Sequence, residues 1–152
     1  MPAWTCKPHA ELTLAELYAV LRLRSEIFVV EQNCVFLDMD GKDLLGQTEH
    51  LMAWENGKLL AYCRLLEPAL NDGQAVIGRV ITAPAARGTG LGHELMRRAK
   101  DEVARLWPGA PVYLGAQARL KGYYGGHGFV PVTDEYIEDG IPHVGMLLRE
   151  SA

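Results

Sequence analysis

The sequence predicts an α/β (α+β) domain in which helices pack against a mixed, largely antiparallel sheet. Three stretches carry that prediction. Residues 49–66, EHLMAWENGKLLAYCRLL, are two β-prone runs joined by Asn56-Gly57, a pair that favours a two-residue hairpin because both positions accept positive φ. Residues 75–106 run from a β-branched strand through a glycine-rich turn into a helix, with Leu91, Leu95, Ala99, Val103 and Leu106 on one helix face. The C-terminal third alternates short apolar runs with glycine and proline, the pattern of further strands. The resulting order, β-α-loop-β-β-β-α-β-α-β-β, is that of helices layered on a sheet whose strands are mostly joined directly.

In chain order, residues 3–8 form a first strand. Thr13 then caps a helix. Glu16 completes a capping box and Leu12 can staple onto Leu17. Leu14, Leu17, Tyr18, Leu21 and Phe28 recur at helical spacing, so the helix should run to about Phe28, with Val29-Val30 blurring its end. Residues 31–50 lack periodicity and carry Asp38, Asp40 and Asp43. A calcium loop fails here, because Lys42 stands at position 5 and the glycine at position 4 rather than 6. A solvated, capped loop or an acidic rim for a cationic substrate remain as readings. Residues 67–74 are a turn-rich connection, and Pro108-Gly109 stops the long helix. Residues 111–117 form a buried strand, 118–125 a short helix cut off by Gly125-Gly126, and 129–132 and 144–149 the last two strands, joined through the acidic loop DEYIEDGIP.

Apolar residues make up 49% and charged residues 22% of the 152, ordinary for one globular domain with a substantial core. A net charge of −4 argues against general nucleic-acid binding. No apolar run approaches the roughly 20 residues of a membrane span. The N-terminal segment has no basic stretch followed by an apolar core, so a cytoplasmic protein is expected. Cys6, Cys34 and Cys63 are odd in number and far apart, which points away from a disulfide framework or a zinc site.

The chemistry concentrates at Ala75–Gly92, AVIGRVITAPAARGTGLG. The first amides of a helix lack intrahelical partners, and the helix dipole adds partial positive charge there, so an anion is bound by both effects. Gly88, Gly90 and Gly92 let phosphate oxygens approach the backbone, and Arg87 adds a fixed cation with a fork of donors. A Walker A run is absent. The dinucleotide Gly-x-Gly-x-x-Gly fails, because His93 stands where its third glycine belongs. What remains is Arg-x-x-Gly-x-Gly.

VITAPAARGTGLG, from Val80 to Gly92, resembles the acetyl-coenzyme A binding segment of the GNAT superfamily of N-acetyltransferases. YGGHGF, from Tyr124 to Phe129, resembles that family's Tyr-x-x-x-Gly-Phe, and LRLRSEIFVVEQNC, DMDGKD, GAQARL and EDGIPHVGM are similar to its ElaA-like branch. The resemblance spans nearly the whole chain. It implies a single GNAT domain over 1–152, with six to seven strands flanked by about four helices. It implies acetyl-CoA as co-substrate, with no metal. Val80, Ile81 and Thr82 would pair with the pantetheine arm like an added strand, and Ile81 or Thr82 would offer an N–H to the thioester oxygen. Arg87, Gly88, Thr89, Gly90, Leu91 and Gly92 would hold the pyrophosphate. Gln117 stands where the family often places an asparagine near the coenzyme.

Tyr124, by family position, is the general acid for the departing thiolate, and its neighbour Tyr123 serves as the control. Glu31 and His143 are candidate bases, with abstraction through water as the alternative and His50 a weaker choice. Arg79 is a core ion pair or a coenzyme contact, and Cys34 a packed thiol. The expected acceptor is a small-molecule or peptide amine such as a polyamine or a lysine side chain, with no nucleic acid or membrane partner and a homodimer left open. Two other readings remain. One is a non-catalytic acyl-CoA binding or sensing module, and the other a site for a different phosphate ligand such as a nucleotide.

Overall fold

The structure is a computed structural model and describes residues 1–149. Its strands are β1 (Ala3–Pro8), β2 (Glu49–Glu55), β3 (Lys58–Leu66), β4 (Ala75–Thr82), β5 (Val112–Gln117), β6 (Phe129–Pro131), β7 (Tyr136–Glu138) and β8 (Ile141–Leu148). Its α-helices are α1 (Leu14–Arg24), α2 (Leu91–Leu106) and α3 (Lys121–Gly125). The strands form one sheet in the order β1-β2-β3-β4-β5-β8-β6, with β7 paired to β8. Only β4 and β5 run parallel. Among the described residues no helix is long and apolar enough to cross a membrane.

Local chemistry explains most boundaries. Thr13 Oγ1 accepts from the Glu16 amide at 3.0 Å and Glu16 Oε1 accepts from the Thr13 amide at 2.9 Å, the capping box in full. Asn56 and Gly57 both take positive φ (51° and 74°), as the tight β2–β3 hairpin requires. The same signal at Asp139-Gly140 (51° and 77°) closes a β7–β8 hairpin. The segment expected as an acidic loop therefore supplies an eighth strand, and β8 starts at Ile141 rather than 144.

Two corrections concern the first helix. It continues as a π-helical segment, Ser25–Glu31, so the helical path reaches three residues beyond Phe28. Its buried face is Val20, Leu23, Arg24 and Ile27, whereas Leu14 is 87% and Tyr18 72% exposed. A charged residue stands inside that stripe, and this hid it from a purely apolar periodicity.

The sheet separates two apolar layers. One, under α2 and α3, gathers Ala75, Ile77, Leu95, Met96, Ala99, Leu114, Tyr124 and Phe129. The other, under α1, gathers Val20, Leu23, Ile27, Met52, Tyr62 and Ile81. Ile77 and Ile81 belong to opposite layers although an even spacing should keep them together. The register between β3 and β4 shifts between Tyr62 and Arg64, and Arg79 takes φ +52°, so a bulge inserts a residue and reverses the parity.

The acidic segment 38–43 is neither a solvated loop nor a substrate rim. Arg24 is fully buried and donates to Asp38 Oδ2 (2.9 Å), to the Asp38 carbonyl (3.0 Å) and to both oxygens of Asp43. Arg64 pairs with Asp40 (2.8 Å) and Asp43 (3.0 Å), and Arg79 Nε lies 2.9 Å from Asp38 Oδ1. A buried guanidinium without partners would be prohibitively expensive, so these carboxylates are structural counterions. His50 is drawn into the same cluster. Its Nε2–H donates to the Asp43 carbonyl (3.0 Å) and its Nδ1 accepts from Tyr62 Oη (2.6 Å), which removes it from the candidate bases.

Candidate active site

β4 and β5 pair only at Ala75–Val112 and Val76–Tyr113, then part. The split opens into a cavity of about 790 Å³ lined by residues of β4, β5, the glycine-rich turn, the π-helical segment, α3 and the β7–β8 hairpin. β3 pairs with Ile81 and Thr82 from one side, while their β5-facing edge has no strand partner. Val80, Ile81 and Thr82 all line the cavity, as expected of a strand that receives an extended arm.

The glycine-rich turn stands at the mouth of the split. Gly90 is the N-cap of α2 at φ +84° and offers no side chain to the helix amides. The amides from Gly88 to His93 make no hydrogen bond among the described residues, and the first helical bond is Glu94 N–H to the Gly90 carbonyl. A run of free donors at the N-terminus of a sixteen-residue helix fits a pyrophosphate. Buried Leu91 fixes the helix start, and Thr89 Oγ1 donates back to the Ala86 carbonyl. Gly92 serves packing: a Cβ there would stand 3.2 Å from Tyr123 Oη and 3.3 Å from Thr82 Oγ1. Arg87 is present at the rim but meets Glu31 Oε1 at 2.7 Å. That ion pair engages the Glu31 carboxylate beside the glycine-rich turn, which argues against Glu31 as the base.

The two tyrosines of α3 separate cleanly. Tyr123 Oη donates to the Gly92 carbonyl at 2.7 Å, tying α3 to the start of α2. Tyr124 also lines the cavity, and its hydroxyl makes no hydrogen bond among the described residues. Its ring lies edge-on to Tyr123 and Phe129, and burial pushes its pKa above the ordinary phenol value, so it holds its proton at neutral pH.

On the far side of β5, His143 pairs with Gln117 across the β5–β8 ladder. His143 Nδ1–H donates to the Ile141 carbonyl (2.7 Å), which leaves the lone pair on Nε2. The nearest carboxylate is Glu138, with Oε2 3.7 Å from that nitrogen. The amide of Gln117 is engaged by Gln32 (3.2 Å) and Arg119 (3.2 Å). Arg79 belongs to the ion-pair cluster, and the Cys34 thiol is packed, donating to the Asp139 carbonyl at 3.1 Å. Among the described residues no cluster of three or more His, Cys, Asp or Glu could hold a metal ion. Sequence reasoning missed Glu138, Phe28 and Phe36 as lining residues; the Asp139-Gly140 pair was the available signal for the hairpin that carries Glu138.

Residues 30–150 match the family described as Acetyltransferase (GNAT) domain. Protein ElaA of Escherichia coli K12 is 48% identical over 146 residues, covering 96% of this chain and 95% of that protein. An acyl-CoA N-acyltransferase structure from Pseudomonas aeruginosa superposes with a TM-score of 0.95 at 60% identity, covering 98% of this chain and 100% of that one. The E. coli ElaA structure gives 0.93 at 46% identity with the same coverage. Sequence and fold agree along nearly the whole chain, and the protein belongs to the GNAT acetyltransferase family, in its ElaA-like branch.

Proposed function

We propose that the protein transfers an acetyl group from acetyl-CoA to a primary amine, by direct attack of the amine on the thioester with both substrates bound. The amides of residues 88–93 and Arg87 hold the pyrophosphate, with Glu31 yielding Arg87 to it. The free edge of Val80–Thr82 aligns the pantetheine, and an N–H of Ile81 or Thr82 donates to the thioester oxygen as negative charge develops there. The coenzyme supplies an activated acyl group. His143 Nε2 takes one proton from the incoming ammonium. As the C–N bond forms and the C–S bond breaks, Tyr124 gives its proton to the thiolate. The second proton lost by nitrogen replaces it, so one proton is released per turnover.

The observation that carries this reading is the contrast between the two tyrosines. One hydroxyl is committed to the fold and the other is free, buried and in the coenzyme cavity. Tyr124→Phe removes a hydroxyl that holds nothing else. It should lower kcat by ~10²–10⁴-fold while acetyl-CoA stabilises the fold as before. Full turnover in Tyr124→Phe would remove the acid assignment. Thermal stabilisation by acetyl-CoA without thiol release from any amine would favour the non-catalytic binding module.

A further inference from the structure

The coenzyme turn, the edge of β4 and Tyr124 form one flank of the cavity. The other flank comes from the π-helical extension of α1, the segment after it and the β7–β8 hairpin. The Cys34 thiol donates to the Asp139 carbonyl, which ties that segment to the hairpin turn. Ile27, Phe28, Phe36 and Ile141 give this flank an apolar wall. Its charged side chains are Glu31, paired with Arg87, and Glu138 and Asp139, next to His143.

Two of the guanidinium groups lining the cavity are paired with carboxylates, Arg79 with Asp38 and Asp40 and Arg87 with Glu31, while Arg119 donates only to the neutral Gln117 amide. Among the described residues Glu138 and Asp139 have no Lys or Arg partner, and Glu138 approaches only the His143 ring. His143 itself is 9% exposed and keeps Nε2 without a hydrogen bond among the described residues. A largely buried imidazole with a free acceptor nitrogen, beside an exposed carboxylate that no Lys or Arg pairs, over an apolar wall, is a socket for a cationic donor on an apolar stem.

Resting on the acetyl-transfer reading, we infer that this flank is the acceptor site and that it selects a primary amine with an apolar stem. Glu138 receives the ammonium next to His143 Nε2, and Phe28 and Phe36 receive the stem.

Calorimetric titration of the coenzyme A-loaded protein with 2-phenylethylamine, ethylamine and spermidine tests this, run beside thiol release from acetyl-CoA with the same amines. 2-Phenylethylamine should bind and react, and ethylamine, which lacks the apolar stem, should be weaker by about tenfold or more. Glu138→Gln should weaken 2-phenylethylamine by up to about fivefold, the scale of an exposed ion pair, and leave acetyl-CoA affinity and melting temperature in place. Phe36→Ala should erase the preference for 2-phenylethylamine over ethylamine. Ethylamine or spermidine ahead of 2-phenylethylamine in both assays, or an unchanged Glu138→Gln, would overturn the assignment. Binding that depends on Glu138 without thiol release would uphold the pocket and overturn the acetyl-transfer reading instead.

Discussion

Replacing Arg24 with methionine tests the ion-pair cluster most directly. The guanidinium is fully buried, and its partners Asp38 and Asp43 are 6% and 8% exposed. Methionine keeps most of the volume, so the dominant effect is two buried carboxylates losing a shared cation. Breaking a buried pair costs ~3–5 kcal/mol. Each carboxylate retains one partner, Arg79 for Asp38 and Arg64 for Asp43, which places the expected loss at the lower end, about 3 kcal/mol. At about 2–4 °C per kcal/mol for a chain of this size, the melting temperature should fall by ~6–12 °C. Urea unfolding followed by tryptophan fluorescence gives the free energy, since domain stabilities of ~5–15 kcal/mol leave the variant folded in buffer. Adding Asp43→Asn to Arg24→Met removes one of the two buried charges that lost a cation and should recover part of the loss. Arg64 then still has Asp40. A loss below about 1 kcal/mol, the range of exposed pairs, would refute the reasoning. So would two substitutions whose effects simply add.

Other outcomes follow from the same contacts. Burial alone would raise the Asp43 and Asp40 carboxyls, but Arg24 and Arg64 for Asp43, and Arg64 with Arg79 for Asp40, hold both below the usual carboxylate range. Their contribution to stability is therefore complete above the unfolded value of about 3.9 and lost as pH falls through the folded values. Urea midpoints should drop from pH 5 to pH 3, and the drop should be smaller in Asp43→Asn; equal slopes would contradict this. At the coenzyme turn, Arg87→Ala should raise the acetyl-CoA KM by roughly tenfold or more without changing the amine KM. Glu31→Gln frees Arg87 and should lower the acetyl-CoA KM by up to about fivefold, as expected for an exposed pair. A rise in that KM would show that Glu31 helps the coenzyme rather than competing with it.

Local rules were legible wherever a residue type has one conformational reason to be present. The capping box, the Asn56-Gly57 hairpin, the glycine N-cap and the apolar face of α2 could all be read from the chain. The strand and turn expected to receive the coenzyme line the cavity between β4 and β5. The failures share a cause as well. The α1 stripe was misplaced because Arg24 occupies a core position, and a charge counts against burial until its counterions are known. Those counterions lie 14 and 19 residues away in a segment without periodicity, so no window reveals them. Glu31 looked like a base because its sequence neighbours are apolar. Its partner Arg87 is 56 residues distant.

The cluster and the site meet at Arg79. A long side chain at φ +52° is strained by about 1–3 kcal/mol, and such strain persists only where the surroundings over-determine it. Here they do. Asp38 meets Arg79 through its carboxylate and its carbonyl, and Asp38 is itself fixed by Arg24 on α1. The bulge reverses parity within β4, sending Ile81 into the α1 layer, and beyond it β4 has left β5. A regular strand would keep Ile81 under α2 with Ile77 and could continue the parallel ladder that ends at Val76. Three aspartates that look like a solvated loop in the sequence thus hold open the edge on which the thioester is expected to lie. The ionic core and the open edge of β4 are one construction, with Arg24 at its buried end and Val80–Thr82 along the cavity at the other.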